Sequence, residues 1–133
     1  MRKLARETAF KIIYKSLFVL NDFSCDEVLE EDNITEEVDI DFVKTLVRLY
    51  ETNSEEINQL INSKLTAYTP DRVYRIDRAI LCVAITEIFY YKQTPLKVVI
   101  NEAIEMAKKD STEKSYSFVN GMLKGLTEGH NGI

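Results

Sequence analysis

Between positions 73 and 91 the chain reads VYRIDRAILCVAITEIFYY, and its apolar residues spread too widely for one helical stripe. Ile76, Ile80, Leu81, Val83, Ala84, Ile85, Ile88 and Phe89 cover most of a helix's circumference. A helix that is apolar nearly all round must be enclosed by others. The remaining sequence supplies those others. Apolar residues recur at three- and four-residue spacing almost throughout, the period of an amphipathic helix. Four Gly and two Pro are the only strong interruptions in 133 residues, and neither β-type alternation nor a fixed-period repeat is found. The pattern predicts an all-α fold of about seven helices in two packed bundles, forming a single domain over residues 1–133.

The first helix is expected over about 2–21, with Ala5, Ala9, Ile12, Ile13, Leu17 and Leu20 on one stripe. A short helix follows at 26–31, capped by Asp26. A third spans about 39–52 and buries Phe42, Val43, Leu46, Val47 and Tyr50. Thr52-Asn53-Ser54-Glu55 reads as a capping box that opens a fourth over 54–65. Thr69-Pro70 breaks the pattern and divides an N-terminal lobe (about 1–69) from a C-terminal lobe (about 70–133). The enclosed helix comes next. Pro95 suits the start of a sixth, about 96–109. Ser111 and Thr112 offer caps for a last helix to about Leu126, with Gly125 and Gly129 able to end it.

The net charge is −5, yet it is unevenly spread. Residues 1–20 hold Arg2, Lys3, Arg6, Lys11 and Lys15 against Glu7 alone, a local +4. Residues 21–41 hold ten acids and no base. Exposed charges more than about 10 Å apart are largely screened at physiological salt, so a basic patch can bind an anion on an acidic protein. The bases sit at helical spacing and suit phosphate binding. A membrane-surface role is disfavoured by small and mid-sized core residues on the apolar face. Lys114, Ser117, Phe118 and Gly121 share a flank of the last helix at three- and four-residue steps, beside Asn120. Val119, Met122, Leu123 and Leu126 form a buried stripe without Phe118. Its ring is therefore expected to stack on an unpaired base, with single-stranded RNA as the natural ligand. The dense alternating charges of residues 71–78 fit either a salt-bridged helix start or a rim read by a protein partner.

Catalysis is not supported. His130 is the sole histidine and lies in a Gly-flanked tail. No zinc spacing, P-loop, dinucleotide fingerprint or EF-hand loop occurs, so no metal or cofactor is expected. Cys25 and Cys82 lie far apart and read as reduced thiols. No apolar run approaches the ~20 residues of a membrane span, and the expected setting is the cytoplasm.

Four blocks carry a wider likeness: Arg2-Lys3-Leu4-Ala5-Arg6-Glu7 with Tyr14 two turns on, Ile80-Leu81 to Glu87, Pro95-Leu96-Lys97-Val98-Val99-Ile100-Asn101-Glu102-Ala103, and Phe118-Val119-Asn120-Gly121. Over nearly its whole length the chain resembles the NusB family of transcription antitermination factors, with Val99 in place of the usual Ala. The resemblance implies an all-helical fold of two bundles and no enzymatic activity. It also implies binding to the boxA element of ribosomal RNA leaders, with the ribosomal protein NusE as co-binder and RNA polymerase's antitermination complex as destination. Its RNA-binding residues map to Arg2, Lys3, Arg6 and Tyr14, and to Ser117, Phe118 and Asn120. Lys114 stands where some members carry an acid, and Leu4 where some carry another Arg. Asp71 and Asp77 fall where the family presents acids to NusE. Some members dimerise over the RNA face, so a homodimeric or protein-binding module with its basic helix buried stays open as the second reading.

Overall fold

The computed structural model describes residues 2–18, 24–65 and 73–128. Every regular element among them is helical. The order is α1 (Arg2–Phe18), α2 (Cys25–Glu31), α3 (Glu37–Ser63), α4 (Arg75–Thr86) continued by a π-helical turn (Glu87–Tyr91), α5 (Leu96–Asp110) and α6 (Ser115–Thr127). The expected lobe boundary at Thr69-Pro70 and the tail residue His130 lie outside the described residues.

Six helices replace the expected seven because those expected at 39–52 and 54–65 are continuous in α3. Asn53 marks the junction as a kink, at φ −115° and ψ 15°. Its Nδ2 donates to the Leu49 carbonyl at 2.9 Å, so a side chain competes with the backbone for an i−4 acceptor. α3 runs on through the expected capping box, and within it the Ser54 hydroxyl donates to the Glu51 carbonyl at 3.4 Å. Ser24, rather than Asp26, caps α2. It is extended (φ −120°, ψ 150°), and its Oγ accepts from the Glu27 amide at 3.1 Å. Asp26 falls in the first turn, where its charge complements the helix dipole. Pro95 stands just before α5, and its carbonyl accepts from the Val98 and Val99 amides.

α4 is the enclosed helix, as its composition requires. Every residue from Asp77 to Thr86 is buried, and the helix packs on α1, α3, α5 and α6. Ile80, Leu81 and Ile85 are fully buried, each worth about 1.5–3 kcal/mol of apolar transfer.

Two buried polar assemblies tie this core together. In the first, Arg6 of α1 donates from Nε and Nη2 to the two carboxylate oxygens of Glu87, both at 2.7 Å. Its Nη1 donates to Glu102 of α5 at 3.3 Å. Arg6 is 4 % exposed and Glu87 0 %. In the second, Arg78 donates to the side-chain oxygens of Asn58 (2.9 Å) and Asn62 (2.6 Å), and Asn58 Nδ2 donates to the Tyr50 hydroxyl at 3.0 Å. Cys82 Sγ lies 3.8 Å from Asn58 Oδ1. Both cysteines are free thiols. Burial pushes the Cys82 thiol up to about 12 and raises the Tyr50 phenol as well.

Removing one member of a buried bidentate pair strands the other charge, at a cost of about 3–5 kcal/mol. Glu87→Ala is therefore expected to lose that much stability in urea denaturation followed by helical circular dichroism. Arg6→Met combined with Glu87→Leu should recover most of the loss. The Cys82 thiol gives a pH dependence with a definite sign. Below its ordinary value of 9.0 it is neutral in both states. Above that pH the unfolded chain ionises while the folded chain holds its proton, so stability falls as pH rises toward about 12. The urea midpoint should drop between about pH 8 and about pH 11, and less steeply in Cys82→Ala.

Candidate nucleic-acid interface

Arg2 and Lys3 open α1 and are exposed. The Arg2 guanidinium lies 4.0 Å over the centre of the Phe42 ring and donates to the Tyr91 hydroxyl at 3.3 Å. Phe42 in turn meets Tyr91 edge-on at 5.3 Å. A stacked guanidinium keeps in-plane N–H groups available to a phosphate. Arg2 and Lys3 line a groove of about 420 Å³ with Tyr91, Thr94, Pro95 and Val98.

Arg6 departs from the sequence expectation. It was grouped with the phosphate-binding cations, but its guanidinium is buried and committed to Glu87 and Glu102. Tyr14 is half-buried in a row of aromatic rings, 6.3 Å from Phe10 and 5.4 Å from Phe18. It packs against the core.

The last helix brings together a second set. Lys114 and Phe118 line a groove of about 600 Å³ with Val73, Tyr74, Asp77, Thr112 and the exposed Glu113. Phe118 is half-buried and packs partly on the core. Tyr74 is 61 % exposed. α6 opens at Lys114 with no side-chain cap and no acid in its first turn. The first amides of a helix favour an anion, and Lys114 adds a full positive charge. Ser117 is exposed on the same helix, and Gly121 faces open space, as its place on the flank suggested. Asn120 is half-buried, and its Oδ1 is shielded from solvent without a hydrogen-bond partner.

Asp77 is a second departure. It was expected to present its carboxylate to a protein partner, but it is 3 % exposed. Its two oxygens accept from the hydroxyls of Ser111 and Ser115. Ser115 Oγ also receives the Thr112 amide at 3.2 Å. Ser111 and Thr112 thus organise the turn through Ser115 and Asp77 instead of capping α6 directly. Asp71 lies outside the described residues.

The two sets line separate grooves rather than one patch. Tyr91 borders the first and Asp77 the second, positions 91 and 77 of one continuous helical run. At 1.5 Å per residue they stand roughly 20 Å apart. A narrower groove of about 160 Å³ lies between, with Lys3, Glu7, Glu105 and Lys109 among its walls. Lys3 is shared with the first groove, and Lys109 sits just before the Ser111–Thr112 turn of the second. Lys109 and Tyr74 escaped sequence reasoning. Lys109 belongs to the polar face of a periodic helix and is marked only by its neighbours in space. Among the described residues no group of acids, cysteines or histidines has metal-site geometry, and no helix is long and apolar enough to cross a membrane.

Since Asp77 anchors the turn that presents Phe118, Asp77→Ala should cost about 1–3 kcal/mol by removing the acceptor of the buried Ser115 hydroxyl and the partly buried Ser111 hydroxyl. Amide hydrogen exchange at Ser115–Phe118 should quicken, while exchange in the middle of α3 stays unchanged.

Comparison with known proteins places this geometry in context. A family model described as the NusB family matches residues 3–128. The transcription antitermination protein NusB of Clostridium botulinum is 35% identical over 130 residues, covering 94% of this chain and 96% of its own. NusB of T. maritima superposes with a TM-score of 0.85 at 30% identity, over 97% of this chain and 92% of that one. A structure of the antitermination factors NusB and NusE in complex with double-stranded RNA matches at a TM-score of 0.85 and 31% identity, over 96% of each chain. The chain belongs to the NusB family and is a transcription antitermination factor, not an enzyme.

Proposed function

We propose that the chain binds the single-stranded boxA element of ribosomal RNA leaders together with NusE, and that the pair joins the antitermination complex on RNA polymerase in the cytoplasm. The observation that carries this reading is the Phe118 groove, where an aromatic ring, a lysine and an uncapped helix start face one cavity. A ring offers a stacking platform to any base, and the adjacent positive end holds the phosphate that follows. Arg2 and Lys3 take phosphates farther along the strand. Ser117 and Asn120 offer hydrogen-bonding groups beside the stacked base. Arg6 anchors α1 beneath Arg2 and Lys3, and Tyr14 is the further aromatic residue we assign to the RNA path. The related structure of NusB and NusE in complex with double-stranded RNA supports joint action with NusE on RNA; the preference for a single strand rests on the Phe118 ring. Asp71 is the acid we assign to NusE.

The preference for a single strand separates this reading from recognition of duplex shape, in which unstacked bases play no part. Fluorescence anisotropy with labelled boxA-like RNA, alone and with NusE, tests it. Single-stranded RNA should bind with a preference for sequence, tighten when NusE is added, and weaken with salt. Phe118→Leu, which retains apolar packing, should lose about 1–3 kcal/mol of binding while the protein stays folded. Lys114→Ala should flatten the salt dependence by about 0.7 in log–log slope, one phosphate contact on a single strand. Equal affinity for a duplex of the same sequence, or an inert Phe118→Leu, would defeat the assignment. Sedimentation tests the homodimer: a dimer that RNA does not dissociate, and that hides Arg2 and Lys3, would favour the protein-binding alternative.

A further inference from the structure

We propose that Glu7 competes with RNA phosphate for Lys109, making their ion pair an internal brake on RNA binding. The inference rests on the RNA-binding reading above and concerns the narrow groove between the two larger ones.

Lys109 Nζ donates to both carboxylate oxygens of Glu7, at 2.9 and 3.2 Å. The two partners are unequally placed: Glu7 is 12 % exposed and Lys109 62 %. The carboxylate is tucked against the protein while the ammonium faces solvent, where a strand passing from Lys3 toward the Phe118 groove would meet it. An ammonium has three donors. Glu7 takes two, so a phosphate finds one. Other charges on the groove leave little attraction in reserve. Arg6 is neutralised by Glu87, and Glu102 and Glu105 add two carboxylates to that of Glu7. Against these stand Lys3 and Lys109 on the groove, with Lys108 3.8 Å from Glu105 at its edge. Three carboxylates thus face the groove, and it becomes more favourable to phosphate when Lys109 turns from Glu7. Both oxygens of Glu7 hold the ammonium in its charged form, raising its pKa. The lysine therefore remains a full cation for whichever anion holds it. Exposed ion pairs are weak enough for a phosphate to displace one partner.

Anisotropy titrations of labelled single-stranded boxA-like RNA across a salt series provide the test. Glu7→Gln should raise affinity about two- to fivefold and steepen the log–log salt slope by about 0.7, one added phosphate contact. In the Glu7→Gln, Lys109→Ala double variant both gains should vanish. Unchanged affinity and slope in Glu7→Gln would overturn the inference. So would a gain of the same size with and without Lys109, since loss of one negative charge anywhere nearby would explain it. If Lys114→Ala weakens RNA binding and flattens its salt slope while Glu7→Gln changes neither, the brake fails and the RNA reading stands. If the unaltered protein binds no RNA, both fail.

Discussion

The bidentate contact between Arg6 and Glu87 holds the first helix to the end of the central one, and Glu102 extends the contact to α5. Three separate stretches of sequence converge on one guanidinium that is 4 % exposed. Such a contact adds little net stability over an apolar replacement, because desolvating the charges offsets much of their attraction. Its effect is on geometry. A guanidinium fork accepts a carboxylate in one plane, so the axial position and rotation of α1 against α4 are fixed together. The carboxylate comes from the first residue of the π-helical turn, where helix winding changes before Lys92 closes the run in a left-handed conformation (φ 61°). The Arg2 and Lys3 end of the proposed RNA surface depends on that placement of α1.

This contact changes the meaning of the family-like sequence blocks. Arg6 lies in the first, Glu87 ends the second and Glu102 lies in the third. Their joint presence is accounted for by a buried ionic assembly, without any role in touching RNA. Phe118 and Lys114, in and beside the fourth, are the residues we assign to the RNA.

Much of the architecture was legible from periodicity. The apolar breadth of 73–91 identified the enclosed helix, and Pro95 marked the start of α5. What escaped were decisions made by distant partners. Arg2 and Arg6 look alike in sequence, one turn apart on a basic helix. Arg2 stays at the surface over Phe42, while Arg6 goes inside because Glu87, 81 positions later, meets it there. Asp77 looked like part of a charged rim until Ser111 and Ser115, more than thirty residues on, came to its carboxylate. The kink at Asn53 was visible as a break, but whether the chain would stop or bend there depended on one side-chain amide finding the Leu49 carbonyl. Local pattern sets helix and face; it does not say which polar residue on that face will find a buried partner.

The fixed position of α1 bears directly on how an acidic protein can hold RNA. With a net charge of −5 the chain as a whole gains nothing from long-range attraction. Affinity must come from a few cations that need not be ordered at the moment of binding. Arg2 meets this requirement. Its guanidinium is already stacked on Phe42 and bonded to Tyr91, while Phe42 is itself held edge-on by the same tyrosine. Immobilising a free long side chain would cost about 0.5–1.5 kcal/mol, and this one is largely immobilised in advance. At the other end, Asp77 holds the Ser111–Ser115 turn and so sets where Lys114 and Phe118 stand. The two grooves are thus presented at a fixed separation by rigid helices. A strand long enough to reach both gains from each without the protein having to reorganise, whereas a free nucleotide meets one weak site at a time. In the proposed reading that spacing favours a strand over a free nucleotide, while stacking on Phe118 accounts for the preference for unpaired bases.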